Sequence, residues 1–124
     1  MKRLTKQQVI YMHEILINET GGSYGIRDNG LLESALNAPF QSFDGEYLYK
    51  SLQLKAAKLG FFIVKNHPFV DGNKRIGLLS MLTFLELNNM EITCTDDELI
   101  NLGFDLAAGE INEKYLLDWI IDHS

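Results

Sequence analysis

The sequence contains few of the residues that mark secreted, disordered or membrane-spanning chains. Its 124 residues include one cysteine, two prolines and no low-complexity tract, and no apolar run approaches the ~20 residues of a membrane span. With Cys94 alone, no internal disulfide forms and an oxidising compartment is not implied. The start MKRLTKQQVI carries two early cations but lacks the apolar segment of a signal peptide. We therefore predict a cytoplasmic protein with no membrane partner.

Positive charge is also in deficit, and its distribution is uneven. The formal net charge of -6 argues against a general affinity for nucleic acid, which needs an excess of Lys and Arg. Between residues 48 and 76, however, the cations outnumber a single carboxylate, that of Asp71. This segment is expected to attract a small polyanion. The chain length and the 46% apolar share fit one compact domain, residues 1–124.

Helix signals dominate the chain, so we predict an all-α fold, a helical bundle around a buried central helix with at most one small hairpin. The signals are capping residues followed by apolar residues at helical spacing. They predict helices after Thr5, from Asp28 to Pro39, from residue 48 to 65, from about Asn73 to 87, after Thr95 and after Asn112. The helix from Asn73 is apolar on nearly every side, as a buried central helix is. An irregular loop or a short hairpin is predicted for residues 40–49. Residues 91–95, EITCT, have strand character.

The stretch NHPFVDGNKRIG, residues 66–77, joins two of these helices and combines residue types that suit a phosphate site. It runs into a helix N-terminus, where unpaired N–H groups and the positive end of the helix dipole favour phosphate. Gly72 allows the backbone to approach an anion closely because it has no side chain. Lys74 and Arg75 oppose the helix dipole in the same turn, which suggests an external anion that compensates them.

Two further side chains in this stretch predict catalysis. Asp71 beside a phosphate site suits Mg²⁺, which takes one or two carboxylates and completes its shell with phosphate oxygens and water. Histidine is the usual general base in enzymes, so His67 is a candidate to remove a proton from an attacking hydroxyl. Together these groups fit transfer of part of a nucleoside triphosphate to a hydroxyl. The alternative is that all of them are ordinary turn and helix-end residues.

Two segments resemble a known family. HPFVDGNKR, residues 67–75, resembles the signature H-P-F-x-[DE]-G-N-[GK]-R of the Fic/Doc family, and GIRDNGLLESALNAP, residues 25–39, resembles the segment that precedes it in the death-on-curing (Doc) branch. The resemblance implies an all-α Fic fold in which the histidine activates a hydroxyl of a target protein, the acidic residue holds Mg²⁺ and the loop binds the phosphates of ATP. By position, these roles fall to His67, to Asp71, and to Gly72, Asn73, Lys74 and Arg75.

The branch decides which group of the nucleotide is transferred. Family members that transfer AMP typically have glycine at the position of Lys74 and a second arginine at the position of Leu78. Both departures match Doc, which implies a kinase that binds ATP in the opposite sense and transfers its γ-phosphoryl group. The family's Doc target is a threonine of translation elongation factor Tu, whose modification stops protein synthesis. The alternatives are a Fic-type AMP transferase and a catalytically silent binding protein of the same fold.

Such an activity has to be restrained in its own cell. The inhibitory pattern [ST]-x-x-x-E-[GN] of many Fic proteins is absent from the sequence, since SFDGEY, residues 42–47, fails at the last position. The resemblance therefore implies a separate antitoxin whose disordered tail folds as a helix into a groove on the toxin. The loop 43–49 is expected either to dock the target protein or simply to pack.

The two other histidines are not expected in the site. His13 shares a helical face with Val9 and Leu16 and is expected to be a partly buried packing residue. His123 is expected to be inert at a frayed terminus. Neither has a cysteine or carboxylate at metal-binding spacing, so no structural zinc is predicted.

Overall fold

In the computed structural model, which describes residues 1–109 and 112–124, helices account for nearly all of the regular structure. The elements are, in order, α1 (Lys6–Thr20), α2 (Asn29–Asn37), a 3₁₀ turn (Ala38–Phe40), β1 (Ser42–Phe43), β2 (Glu46–Tyr47), α3 (Leu52–Asn66), α4 (Asn73–Leu87), α5 (Asp96–Ala107) and α6 (Glu113–His123). The predicted all-α class with one small hairpin is thereby confirmed. None of the helices in the described ranges has the length and apolar character that crossing a bilayer requires.

Most helices begin at the capping residues that the sequence marks. Side-chain oxygens accept a backbone N–H of the first helical turn at Thr5, Asp28, Thr95 and Asn112, with reciprocal capping boxes at Thr5 and Thr95. The predicted start of α3 at residue 48 was wrong. The Ser51 hydroxyl accepts the Leu54 N–H (3.0 Å) and so sets the start of the helix at Leu52.

Residues 91–95 do not form a strand in the structure, contrary to the prediction from their composition. The Thr93 N–H donates instead to the carbonyl of His123 at the end of α6 (2.7 Å). A strand requires a neighbouring strand to receive its backbone hydrogen bonds, and this segment lies beside a helix end. Its local preference is therefore not expressed.

The α3 and α4 helices pack against each other at the centre of the fold. The α3 helix also contacts α2 and α6, and α4 also contacts α1 and α5. Gly60 and Gly77 permit a close approach, because a Cβ on Gly77 would lie 2.8 Å from Val64 Cγ2 and 3.1 Å from the Gly60 carbonyl oxygen. Since α3 and α4 flank residues 67–72, this contact holds both ends of the loop that carries the motif.

The α4 helix is central but is not buried on every side. Its buried residues include Ile76, Met81 and Phe84, which belong to the main apolar core. Leu79, in contrast, is 36% exposed, and Glu86 is also exposed. The prediction of burial all round was therefore wrong for one face of α4, which stays open to solvent because neither α1 nor α5 covers it.

The short hairpin is fastened to α3 by a buried lysine. Asp44 and Gly45 both have positive φ, as the two-residue turns of tight hairpins require. Lys55 is 1% exposed; its Nζ donates to the carbonyl of Tyr49 and lies 4.3 Å from the centroid of the Tyr47 ring. Burial lowers the pKa of Lys55. The strand-exit residues are thus attached to the core, whereas the hairpin itself stays on the surface.

Candidate active site

The loop between α3 and α4 has a fixed shape. His67 is the C-cap of α3 and adopts a left-handed conformation (φ 52°, ψ 53°), and Gly72 precedes α4 in a second one (φ 76°, ψ 19°). Between them, the buried Phe69 has both of its backbone groups bonded to the side chain of Asn73. Asn73 Oδ1 accepts the Phe69 N–H and Asn73 Nδ2 donates to the Phe69 carbonyl, each at 2.9 Å. Phe69, which is 1% exposed, therefore anchors the loop in the core.

A cleft of about 370 Å³ opens above this loop. Its lining combines the last turn of α3, the loop, the first turns of α4 and the C-terminal half of α5. The residues are Val64, His67, Asp71, Gly72, Asn73, Lys74, Arg75, Leu78, Gly103, Leu106 and Ala107. All six residues that the sequence nominates as a site line this one cleft. The volume is that of a small-molecule pocket.

Asp71 presents an oriented, ionised carboxylate to the cleft. Its Oδ2 accepts the Ser23 N–H (3.0 Å) and its Oδ1 accepts the Gly72 N–H (2.8 Å). These two hydrogen bonds lower the pKa of Asp71, with a smaller contribution from the positive charge of Arg75. The side chain remains 46% exposed, so the carboxylate is open to a ligand from the solvent side.

Lys74 and Arg75 find partners inside the protein. Arg75 Nη1 donates to the Thr20 hydroxyl (2.5 Å) and to the Gly21 carbonyl (2.9 Å), where α1 ends. Lys74 Nζ donates to the carbonyl of Ala107 at the end of α5 (3.1 Å). Cations at helix C-termini are favourable. The sequence suggested that an external anion compensates the positive charges of Lys74 and Arg75. Helix-end carbonyls inside the protein supply part of that compensation.

The start of α4 offers backbone groups more than side chains to an anion. Gly72 provides no capping side chain, and no side-chain cap is present at this helix start. Asn73 is buried and uses its amide on the loop, so its contribution to an anion site is its main-chain N–H. Gly72 is also confined from within, because a Cβ there would lie 3.2 Å from Ile17 Cδ1. The geometry fits the phosphate cradle of a helix N-terminus.

His13 lies under the loop, although the sequence placed it outside the site. It is 2% exposed and stacks on Phe69, with ring centroids 3.9 Å apart. Its Nε2 lies 2.7 Å from the Asp71 carbonyl oxygen, and because a carbonyl only accepts, Nε2 carries the proton. His13 is thus a packing residue, as predicted, but it is fully rather than partly buried, and it also supports the backbone of Asp71. Its position on an apolar helix face gave no signal of that second contact.

The connector between α1 and α2, residues 21–28, packs along the loop and forms hydrogen bonds to it. The Ser23 N–H reaches Asp71, the Gly25 carbonyl accepts the Val70 N–H (3.0 Å), and the side chain of Arg27 reaches the end of α3. The sequence resemblance included residues 25–39 but did not indicate contacts with a segment some 40 positions away. The connector is the main part of the site that sequence reasoning missed.

His123, in contrast to the prediction, is not inert. Its Nδ1 lies 2.6 Å from the carbonyl oxygen of Trp119 and its Nε2 lies 2.5 Å from Glu98 Oε2. The Trp119 carbonyl, followed by Glu98, raises the pKa of His123. The histidine ties α6 to the start of α5, and it does not line the cleft.

Asp71 fits a Mg²⁺ ion shared with a phosphate ligand. Within residues 1–109 and 112–124, no three His, Cys, Asp or Glu side chains are grouped as ligands of one metal. One ionised carboxylate next to a phosphate cradle is nevertheless the donor set that Mg²⁺ takes when phosphate and water complete its shell.

Comparisons with known proteins point to one family. The family model described as "Fic/DOC family" matches residues 3–85, which include the connector, the loop and most of α4. The chain is 38% identical over 102 residues to "Toxin Doc" of Mycolicibacterium smegmatis, covering 82% of this chain and 74% of that protein. It is 28% identical over 118 residues to "Protein kinase doc" of Escherichia phage P1, covering 95% of this chain and 92% of that protein.

Proposed function

Because this chain belongs to the Fic/DOC family, in its Doc branch, we propose that it is the toxin of a toxin–antitoxin pair and transfers the γ-phosphoryl group of ATP to a hydroxyl of a target protein. The observation that supports this most directly is the convergence of His67, Asp71 and the start of α4 on one cleft. The first supplies a base, the second a carboxylate for a cation and the third an anion cradle. Phosphoryl transfer requires these parts together.

In the proposed transfer, His67 is the general base. The imidazole removes the proton of the acceptor hydroxyl, whose oxygen forms a bond to the γ-phosphorus as the bond to the β,γ-bridging oxygen breaks, and ADP leaves. The N–H groups at the start of α4 bind phosphate oxygens, with Arg75 beside them. Asp71 would hold Mg²⁺, whose chemistry here is to neutralise the negative charge of the nucleotide phosphates.

Two residues of the cleft favour γ-phosphoryl transfer over AMP transfer. Lys74 occupies the position at which AMP-transferring relatives typically have glycine, so it adds volume and charge at the first turn of α4. Leu78 lines the cleft where those relatives have a second arginine. An apolar side chain there does not bind the phosphates that an arginine would. Both differences support a reversed binding orientation of ATP in this cleft, with its γ-phosphate toward the acceptor hydroxyl.

The target that we propose, on the basis of the family, is a threonine of translation elongation factor Tu, and modification would stop protein synthesis in the cytoplasm. Phe43 in the hairpin is 76% exposed, which supports docking of a target chain rather than packing as the use of this segment.

The test is incubation of the protein with Mg²⁺, elongation factor Tu and ATP labelled on either the α- or the γ-phosphate. We expect label on the acceptor only from the γ position. His67→Ala is expected to abolish transfer, and His123→Ala is the matched control, because that histidine lies outside the cleft. Label from the α position would instead identify an AMP transferase. No transfer from either position would favour a silent binding protein or a different target.

The antitoxin is the second part of the proposal. We expect its helical tail to bind the open face of α4, where Leu79 is exposed, together with Ile100 and Phe104, which are exposed on the neighbouring α5. Expression of the chain alone in bacteria should stop growth, and co-expression of the antitoxin should restore it. Leu79→Asp and Phe104→Asp should weaken the rescue, whereas Ile121→Asp, an exposed apolar position on α6, should not. Normal growth with soluble, folded protein would contradict the toxin proposal.

A further inference from the structure

Arg27 joins the connector to the end of α3 through a two-pronged contact. Its Nε donates to the carbonyl of His67 (2.6 Å) and its Nη2 donates to the carbonyl of Asn66 (2.9 Å). Carbonyls in the last turn of a helix have no partner within that helix, and a cation at this end is favoured by the helix dipole. The planar guanidinium is suited to this contact, because its donors hold a fixed fork geometry.

The contact matters because the two carbonyls belong to the two peptide groups that flank His67. The Asn66 carbonyl lies in the peptide plane before the His67 Cα, and the His67 carbonyl lies in the plane after it. Holding both planes fixes φ and ψ of His67 and therefore the direction of its Cα–Cβ bond. His67 needs such support, since its left-handed conformation is sparsely populated by residues with a Cβ.

The main chain of the connector holds the rest of the loop independently of this side chain. The N–H groups of Arg27 and Asp28 both donate to the Pro68 carbonyl (2.7 and 3.0 Å), and the Val70 N–H donates to the Gly25 carbonyl. None of these bonds involves the side chain of Arg27, so they should persist when that side chain is shortened. Removing the guanidinium therefore releases the peptide plane after His67. The plane before it keeps the hydrogen bond from the His67 N–H to the Ile63 carbonyl (3.2 Å), and the attachment of the loop is retained.

We propose that Arg27 is a positioning residue that directs the imidazole of His67 toward the acceptor hydroxyl. The proposal rests on the proposed function of His67 as the base. Arg27 does not line the cleft and needs no contact with ATP or the target. Its effect should therefore appear in kcat, because the base is misdirected, and not in the KM for ATP, because the phosphate cradle is unchanged.

The experiment compares Arg27→Ala and Arg27→Lys with the wild type in steady-state phosphoryl transfer. Arg3→Ala is the matched control, since Arg3 Nη2 donates to Asn37 Oδ1 (2.9 Å), away from the loop. A displacement of the base by about 1 Å is expected to lower kcat about 100-fold in Arg27→Ala. Arg27→Lys, whose single amine does not reproduce the fork, should recover only part of that loss, and added guanidinium should partly restore Arg27→Ala.

A second measurement judges the proposal without using activity. The positive φ of His67 gives a strong nuclear Overhauser effect between its own amide proton and Hα, which should weaken in Arg27→Ala and persist in Arg3→Ala. An unchanged signal, or a kcat equal to that of the wild type, would overturn the role of Arg27. If the wild type transfers no phosphoryl group, the proposed function fails, and the Overhauser signal still decides whether Arg27 sets the conformation of His67.

Discussion

Gly22→Ala is the substitution whose effect follows most directly from the site geometry, although Gly22 lies outside the loop motif. A Cβ at this position would lie 2.4 Å from Asp71 Oδ2 and 3.2 Å from Arg75 Nη2. Ordinary contacts of a Cβ begin at 3.4 Å. The carboxylate would therefore have to move by about 1 Å, away from the Ser23 N–H that orients it, and a misplacement of this size costs about 100-fold in rate.

The neighbouring Gly21 supplies a control for the backbone. Both glycines have positive φ, 86° at Gly21 and 117° at Gly22, but a Cβ on Gly21 would have no atom within 4 Å. Each alanine substitution should therefore cost about 1–3 kcal/mol in unfolding free energy through strain. Only Gly22→Ala adds the collision with Asp71.

The assay measures urea unfolding and kcat/KM for phosphoryl transfer on both variants. We expect similar losses of unfolding free energy, with a fall of about 100-fold in kcat/KM for Gly22→Ala and a fall of less than about 5-fold for Gly21→Ala. Equal kcat/KM values for the two variants would refute the reasoning, because they would mean that the position of the Asp71 carboxylate does not depend on the space at Gly22.

Three further predictions test other parts of the structure. Asn73→Ala leaves two buried backbone groups of Phe69 without their partner, and urea unfolding should show a loss of about 2–5 kcal/mol, whereas a change below about 1 kcal/mol would contradict the loop-anchor role. The raised pKa of His123 means that its contacts with the Trp119 carbonyl and with Glu98 stabilise the fold below the ordinary histidine pKa, and that this contribution is lost as the pH rises through the folded-state pKa. His123→Gln should therefore lower the melting temperature more at about pH 6 than at about pH 9, and an equal effect at both would be inconsistent with this linkage. Lys74→Gly should allow label to transfer from the α-phosphate of ATP, because it opens space and removes charge at the first turn of α4; persistence of γ transfer alone would show that Lys74 does not set the nucleotide pose.

Sequence patterns predicted the helices well because capping is a local effect. Thr5 and Thr95 bond to backbone groups three residues away, so the pattern that predicts the cap also contains its partner. Errors arose where a distant partner decided the outcome. Residues 91–95 favour a strand but pair with the end of α6, and the open face of α4 depends on how α1 and α5 pack.

The sequence by itself determined the loop motif, the order of its chemical groups and the family, because HPFVDGNKR keeps His67, Asp71 and the start of α4 within nine residues. Only the tertiary structure decided how those groups are held. Ser23 orients Asp71, His13 supports its backbone and Arg27 fixes the peptide planes of His67, through hydrogen bonds between residues 40 to 58 positions apart. Such contacts form when α1 and its connector pack onto the loop, and no local pattern encodes them. The chemical groups of the site therefore come from one short segment, whereas their geometry depends on the packing of the whole fold.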